Sequence, residues 1–229
     1  MTINLPLILN IETSTKNCSV ALFRGESLLS QKSLLSDKHS HSEILTLFIE
    51  DIMIDVNLKL TDLSAISISK GPGSYTGLRI GVSIAKGLSY SLSIPLISVP
   101  TLQSMADNMS RINSNFDLYC PMIDARRMEV FSAFYDVKNN IIRNVQADII
   151  NENSYLDYSQ KSILFFGDGS VKCKEIIKCK NASFIENIYP CAKDMAVISL
   201  KKYLCNDFED VAYFEPFYLK DFVAGKKKN

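Results

Sequence analysis

The sequence predicts an α/β protein built as two related lobes, and three observations carry that prediction. Three short apolar runs joined by tight polar turns open the chain. Segments with apolar residues at spacings of three and four then alternate with short buried strands. The same order of elements returns after about 110 residues, as expected of an internal repeat.

Residues 5–11, 18–23 and 27–34 are apolar, and Arg24-Gly25-Glu26 is short enough for a hairpin, so these runs read as three consecutive antiparallel strands. From 42 to 56, Leu45, Phe48, Ile49, Ile52, Met53 and Val56 mark one face of a helix. Residues 65–69 (AISIS) form a short buried strand. Behind a glycine loop, 78–92 is helical, 96–99 is a strand and 101–112 is a connecting helix. This completes a βββαβα unit and its connector. The second half repeats the order with strands at 118–123, 128–136 and 141–147, a turn at Lys138-Asn139-Asn140, a weak helix at 152–158, a strand at 162–166 and a helix over 171–179. The polar stretch Asn113-Ser114-Asn115 separates an N-terminal lobe, 1–112, from a C-terminal lobe, 113–229. A last helix, 193–204, and an aromatic segment, 213–219, lead to Lys226-Lys227-Lys228-Asn229, a solvated end.

At 229 residues, 47% hydrophobic and 22% charged, the chain can bury a sizeable core and is not disordered, collagen-like or coiled-coil. Its 25 basic side chains balance 25 acidic ones, so it offers no overall electrostatic footprint for phosphates and alone is expected to hold RNA weakly. The six cysteines, Cys18, Cys120, Cys173, Cys179, Cys191 and Cys205, are scattered without a CxxC pair. The N-terminal apolar run lacks a basic region before it and is too short to span a bilayer. The expectation is a cytoplasmic protein with reduced thiols, no membrane contact and no nucleophilic cysteine. Two histidines leave little material for a zinc site.

The densest local signal is Lys70-Gly71-Pro72-Gly73-Ser74-Tyr75-Thr76-Gly77-Leu78-Arg79-Ile80-Gly81, which follows a strand and opens a helix. Such a loop can cradle a phosphate on exposed N–H groups, yet it has neither a GKS/T ending nor GxGxxG spacing. The other reading is a structural turn. Gly77 and Gly81 each cost the helix ~1 kcal/mol relative to alanine, so something packs tightly on that face, either inside this protein or from a partner. In the first hairpin, Glu12 and Ser14 stand where actin- and Hsp70-like ATPases carry an aspartate and a glycine before the phosphate-contacting threonine, here Thr15. Without that glycine the turn closes poorly on a phosphate. His39-Ser40-His41-Ser42-Glu43 offers a metal reading or, better, a helix cap by Ser40 or Ser42. Asp124-Ala125-Arg126-Arg127-Met128-Glu129-Val130 reads as a charged turn network or as a contact surface.

Taken in order, ILNIETSTKNCSVAL, HSHSEIL, KGPGSYTGLRIGVSIAKGLS, DARRMEVFSAFY, FGDGS and the closing EPFYLKDFVA resemble the bacterial TsaB (YeaZ) family over nearly the whole chain. The resemblance implies an actin/Hsp70-like (ASKHA, ribonuclease H-like) α/β fold of two lobes with repeated βββαβα units. It also implies a subunit of the machinery that makes N6-threonylcarbamoyladenosine in tRNA. The family's paralogue TsaD carries an HxxxH metal pair where this chain reads Thr101-Leu102-Gln103-Ser104-Met105. With both ligands replaced, the resemblance implies no catalytic residue and no metal site here, and a non-catalytic subunit that activates the paralogue. The isolated chain then needs no cofactor, while ATP or ADP and a metal ion belong to the assembled complex. The implied partners are a TsaD-like paralogue and a TsaE-like ATPase, with tRNA reached through the complex and a homodimer open when the partner is absent. The alternative is a standalone actin-like kinase or metallopeptidase-like enzyme. Glu12, Ser14, Thr15, Gly71, Gly73 and Ser74 are read as degenerate phosphate loops. Leu45, Leu47, Phe48 and Ile52 on the first helix and the small-residue row Gly77, Gly81 and Ala85 on the second are the expected partner interface. Packing of that row on the protein's own sheet is the competing expectation.

Overall fold

Strand β1 (Leu7–Glu12) is the spine of the first lobe, and all six of its residues are buried. It pairs antiparallel with β2 (Asn17–Arg24), which pairs antiparallel with β3 (Ser27–Leu35). On its other edge it runs parallel to β4 (Ala65–Gly71), which in turn pairs with β5 (Leu96–Pro100). The computed structural model describes residues 5–36 and 41–220.

The second lobe repeats this plan. Strands β6 (Leu118–Asp124), β7 (Glu129–Tyr135), β8 (Ile141–Ile149), β9 (Ile163–Phe166) and β10 (Ala182–Ile185) assemble in the order β10-β9-β6-β7-β8, against β3-β2-β1-β4-β5 in the first. Exchanging each strand for its counterpart makes the two orders identical. The protein therefore has the α/β two-lobed fold of the actin/Hsp70 type, with β1 and β6 as equivalent central strands.

Alternation along β1 divides the packing. Leu7, Leu9 and Ile11 face one way, where helix α1 (His41–Asp55) covers them with Leu45, Ile49, Ile52 and Met53, and helix α2 (Tyr75–Leu92) adds Val82 and Ala85. Each large aliphatic side chain so buried contributes about 1.5–3 kcal/mol. Ile8 faces the opposite way, into a cluster with Val99, Met195 and Ile198 under helix α4 (Ala196–Leu204). Helix α3 (Thr101–Ile112) crosses over, so that Leu102, Met105, Ala106 and Met109 pack with Tyr119, Phe131 and Leu164 of the second lobe. Each lobe thus lends a helix to the other's sheet.

Four sequence expectations are corrected. The helix over 171–179 is a single 3-10 turn, Val171–Cys173, that buries Cys173, followed by irregular chain that buries Ile177 and Cys179 one at a time. The helix at 152–158 is likewise one turn, Leu156–Tyr158, entered through Tyr155 at φ 66°. Strand β10 was not expected from the sequence, and it completes the second sheet. Helix α2 starts at Tyr75, earlier than expected, because the Ser74 hydroxyl accepts from Gly77 N at 3.3 Å and caps the helix there.

The aromatic C-terminal segment straps both lobes. Glu209 N donates to Leu96 O at the β5 edge, Phe214 enters the first core, Phe217 N donates to Lys70 O, and Lys220 reaches Glu129 of β7. The lysine tail lies outside the described residues. Among the described residues no helix is long and apolar enough to cross a membrane.

Candidate functional site

Because β1 and β6 are equivalent, the turns that follow them meet across the interlobe cleft. Ser14, Thr15 and Lys16 of the first turn and Asp124, Ala125 and Arg126 of the second line one cavity of about 580 Å³, with Tyr75, Thr76, Asp168 and Lys220.

The structure brings the two expected phosphate loops together and packs each on the other. Glu12 is fully buried, and its Oε1 accepts from Ser14 N at 2.6 Å. Burial pushes its carboxyl above the ordinary 4.5, and the hydrogen bonds from Ser14 offset this only in part. Ser14 O accepts from Ser74 N at 2.6 Å, and Thr13 Oγ1 donates to Gly77 O at 2.8 Å. A Cβ on Gly73 would stand 2.2 Å from Ser14 O, one on Gly77 2.1 Å from Thr13 O, and one on Gly81 2.2 Å from Thr13 Oγ1. Gly71, at φ 106°, turns the chain out of β4 and donates its N–H to Thr101 Oγ1. Gly73, Gly77 and Gly81 are there for this chain's own hairpin.

That packing decides the fit of a nucleotide phosphate, which the fold type brings to this place. Two amides of the loop, at Ser74 and Gly77, are spent on Ser14 O and Ser74 Oγ, and Ser14 fills the space beside Gly73. Thr15, also buried, accepts from Asn17 N through its hydroxyl. The residues present do not fit the group. Nor do they fit a metal at the replaced ligand pair. Thr101 is buried with its hydroxyl 2.5 Å from Ser69 Oγ, and Met105 packs in the core shared with the second lobe. His41 is buried and hydrogen-bonded through Nε2 to Thr15 O at 2.7 Å, so it props the first turn. His39 and Ser40 lie outside the described residues, while Ser42 sits inside the first turn of α1. Burial pushes the Cys18 thiol up to about 11, well away from nucleophilic use.

The second turn is the more open wall. Asp124 Oδ1 accepts from Arg126 N and from Lys172 Nζ, both at 2.7 Å, and Asp168 Oδ1 accepts from Asp124 N. Burial holds the Asp168 carboxyl above its ordinary range. Asp168, Lys172 and Lys220 were not singled out from the sequence. The FGDGS run could have flagged Asp168, since it follows β9 as the glycine loop follows β4; nothing local marks Lys220.

The expected partner interface divides. Leu45, Ile52, Gly77, Gly81 and Ala85 are buried inside the first lobe, which corrects their placement on an outer surface. The small-residue row admits Thr13 and Ile68 of this chain. Leu47 is 57% exposed and Phe48 is half-buried, so these two remain accessible.

Comparison with known proteins follows the same lines. The family described as TsaD, tRNA N6-adenosine threonylcarbamoyltransferase, matches residues 28–224. The chain is 30% identical to the Escherichia coli tRNA threonylcarbamoyladenosine biosynthesis protein TsaB over 96% of this chain and 97% of that protein. It is 34% identical to the Bacillus subtilis protein of the same description over 75% of each. A crystal structure from Pseudomonas aeruginosa, of a protein described as similar to the peptidase YeaZ, superposes with a TM-score of 0.83 at 22% identity, covering 94% of this chain and all of that one.

Proposed function

The chain belongs to the TsaB family of tRNA threonylcarbamoyladenosine biosynthesis proteins, and from that premise we propose that it is the non-catalytic subunit that activates a TsaD-like paralogue. Its work lies in threonylcarbamoyladenosine biosynthesis on tRNA. The reaction supported is transfer of threonylcarbamoyl from its adenylate to N6 of adenosine 37, in tRNAs reading codons that start with A.

One observation carries the non-catalytic part. At the place of the paralogue's metal-binding histidine pair, Thr101 spends its hydroxyl on Ser69 and Gly71, and Met105 is sealed in the core. Neither side chain is free to ligate a metal. The eroded first turn, filled by its own glycine loop, supports the same reading for ATP. ATP and a metal ion then enter with the paralogue and a TsaE-like ATPase, and tRNA is held by the assembly.

The surface for the paralogue is the outer side of the adjoining helices α1 and α2. Leu47 stands exposed beside Phe48 on α1, while Ile80, Ile84 and Leu88 of α2 are only half-covered. A Cβ at Gly87 would meet nothing within 4 Å, so a neighbouring helix can come close there.

Reconstitution tests the reading. Paralogue, ATPase, unmodified tRNA, threonine, bicarbonate and the enzyme that forms the adenylate are combined with and without this chain, and the modified nucleoside is measured by mass spectrometry. Product that requires the chain, with no ATP turnover by the chain alone, is the expected result. Robust turnover by the isolated chain, abolished by Glu12→Ala, would overturn it in favour of a standalone kinase.

A further inference from the structure

The turn between β6 and β7 holds two consecutive arginines in the left-handed region, Arg126 at φ 71° and Arg127 at φ 46°. Non-glycine residues there cost on the order of 1–3 kcal/mol each and persist where the surroundings hold them. Here the holding is explicit: Lys172 Nζ donates to Asp124 Oδ1, Arg127 O and Glu129 O at 2.6–2.7 Å. Both arginines are exposed, and Arg126 lines the interlobe cavity. Among the described residues neither guanidinium has a carboxylate within ion-pair distance, whereas the nearby acids are engaged. Asp124 pairs with Lys172, Glu129 pairs with Lys220 at 2.5 Å, and Asp168 accepts from the Asp124 amide. Across the cavity stands a tilted aromatic pair, of which Tyr75 lines the cavity. Tyr75 lies 4.7 Å from Tyr218, and the Arg79 guanidinium sits 4.2 Å from the Tyr75 ring while its Nε donates to the Tyr218 hydroxyl.

We propose that this cleft mouth is a contact surface for a single-stranded stretch of the RNA substrate, with backbone phosphates on Arg126 and Arg127 and a base against the aromatic pair at Tyr75. The proposal rests on the tRNA reading above and deepens it. Paired guanidiniums beside a ring platform match the chemistry of single-strand binding, in which cations follow the backbone and bases stack on aromatic faces. An acidic peptide would use the arginines but leave the aromatic pair idle. The cavity, about 580 Å³, has room for a nucleoside. Zero net charge keeps such binding weak in the isolated chain, so it acts within the assembled complex.

The test uses the complex of this chain with its TsaD-like paralogue and an unmodified tRNA transcript carrying 4-thiouridine. Crosslinks on this chain are expected in peptides containing Tyr75 or Arg126. Replacing both arginines, Arg126→Gln with Arg127→Gln, should remove them and weaken tRNA binding about tenfold. The slope of log K against log salt should fall by roughly 0.7 for each phosphate that is no longer neutralised. Arg126→Lys with Arg127→Lys should restore most of that slope, and Lys201→Glu on distant α4 should change neither readout. Circular dichroism and gel filtration check that each variant folds and assembles. Crosslinks absent from this chain, or unaffected by the glutamine pair while the complex still binds and modifies tRNA, overturn the proposal and leave the functional reading standing. Loss of the paralogue on gel filtration also overturns it, assigning the arginines to an acidic protein surface. Undiminished modification in the absence of the chain sinks the functional reading itself.

Discussion

Helix α2 carries its own control for the inward packing of its glycines. A Cβ at Gly77 would stand 2.1 Å from Thr13 O, whereas one at Gly87 would meet nothing within 4 Å. Both positions are helical, so on propensity alone alanine gains ~1 kcal/mol at either. At Gly77 the obstacle is a backbone oxygen, which cannot rotate away. Relief requires the first hairpin to shift by roughly an ångström, against the Thr13 Oγ1–Gly77 O and Ser74 N–Ser14 O hydrogen bonds. Overpacking of this kind costs about 1–3 kcal/mol or more, and each buried hydrogen bond strained adds about 1 kcal/mol. Gly77→Ala should therefore destabilise the chain by about 2–4 kcal/mol net, while Gly87→Ala stabilises it by ~1 kcal/mol. At roughly 2–4 °C per kcal/mol for a chain of this size, the first variant should melt roughly 5–15 °C lower and the second roughly 2–4 °C higher. Gly81→Ala should fall between, since its obstacle, Thr13 Oγ1 at 2.2 Å, belongs to a side chain. Thermal unfolding followed by far-ultraviolet circular dichroism, repeated in urea, reads all three. Should Gly77→Ala melt at or above wild type, the row is not packed on the hairpin and is open to a partner helix after all.

Leu47→Glu on the exposed side of α1 should leave the chain folded and its melting temperature within ~2 °C of wild type, yet abolish co-elution with the paralogue on gel filtration; a folded variant that still co-elutes places the interface elsewhere. Burial holds Asp194 up at about 6, above its ordinary 3.8, so the native state binds a proton that the unfolded chain releases between those values, and stability falls as pH rises through that window. Asp194→Asn should therefore match wild type below pH ~4 and exceed it by up to about 3 kcal/mol above pH ~6; urea titrations with a pH-independent difference would contradict this. Lys172→Ala removes the donor that ties Asp124, Arg127 O and Glu129 O, and should cost about 1–3 kcal/mol and speed amide exchange over 125–129; unchanged exchange would mean that the left-handed arginines hold themselves.

The first lobe was legible in the sequence because its signals are periodic. The spacing of Leu45, Ile49, Ile52 and Met53 marked the buried face of α1, and α3 spans 101–112 as read. The second lobe misled where a nine-residue stretch, 171–179, carries apolar residues at helical spacing. A helix that short is marginal without support, and the glycine turn before it anchors the chain so that Cys173 and Ile177 are buried without a continuous helix. Strand β10 has four residues and no turn signal of its own; only the demand that the second sheet match the first could have exposed it. At the site, sequence could mark the glycine loop but not what it approaches. Two tight partners were conceivable for Gly77 and Gly81, a phosphate or a protein backbone, and only the fold shows Thr13 and Ser14 in that space. Lys172 and Lys220 escaped notice because the acids they neutralise lie far from them in sequence.

The same distinction governs charge. Equal counts of 25 basic and 25 acidic side chains describe the chain as a whole and argue against an independent RNA-binding module. They do not describe the cleft, because folding consumes its charges unevenly. Lys172 pairs with Asp124 and Lys220 with Glu129, while the half-buried Asp168 accepts from the Asp124 amide. The strained turn that these contacts stabilise then presents Arg126 and Arg127 with no carboxylate within ion-pair distance of either guanidinium among the described residues. On the facing wall, the Ser74 amide at the α2 start is spent on Ser14 O, and Tyr75 and Thr76 line the cavity beside it. The cleft thus keeps the opening but not the loop, and what it leaves exposed is a cationic turn opposite a tilted aromatic pair.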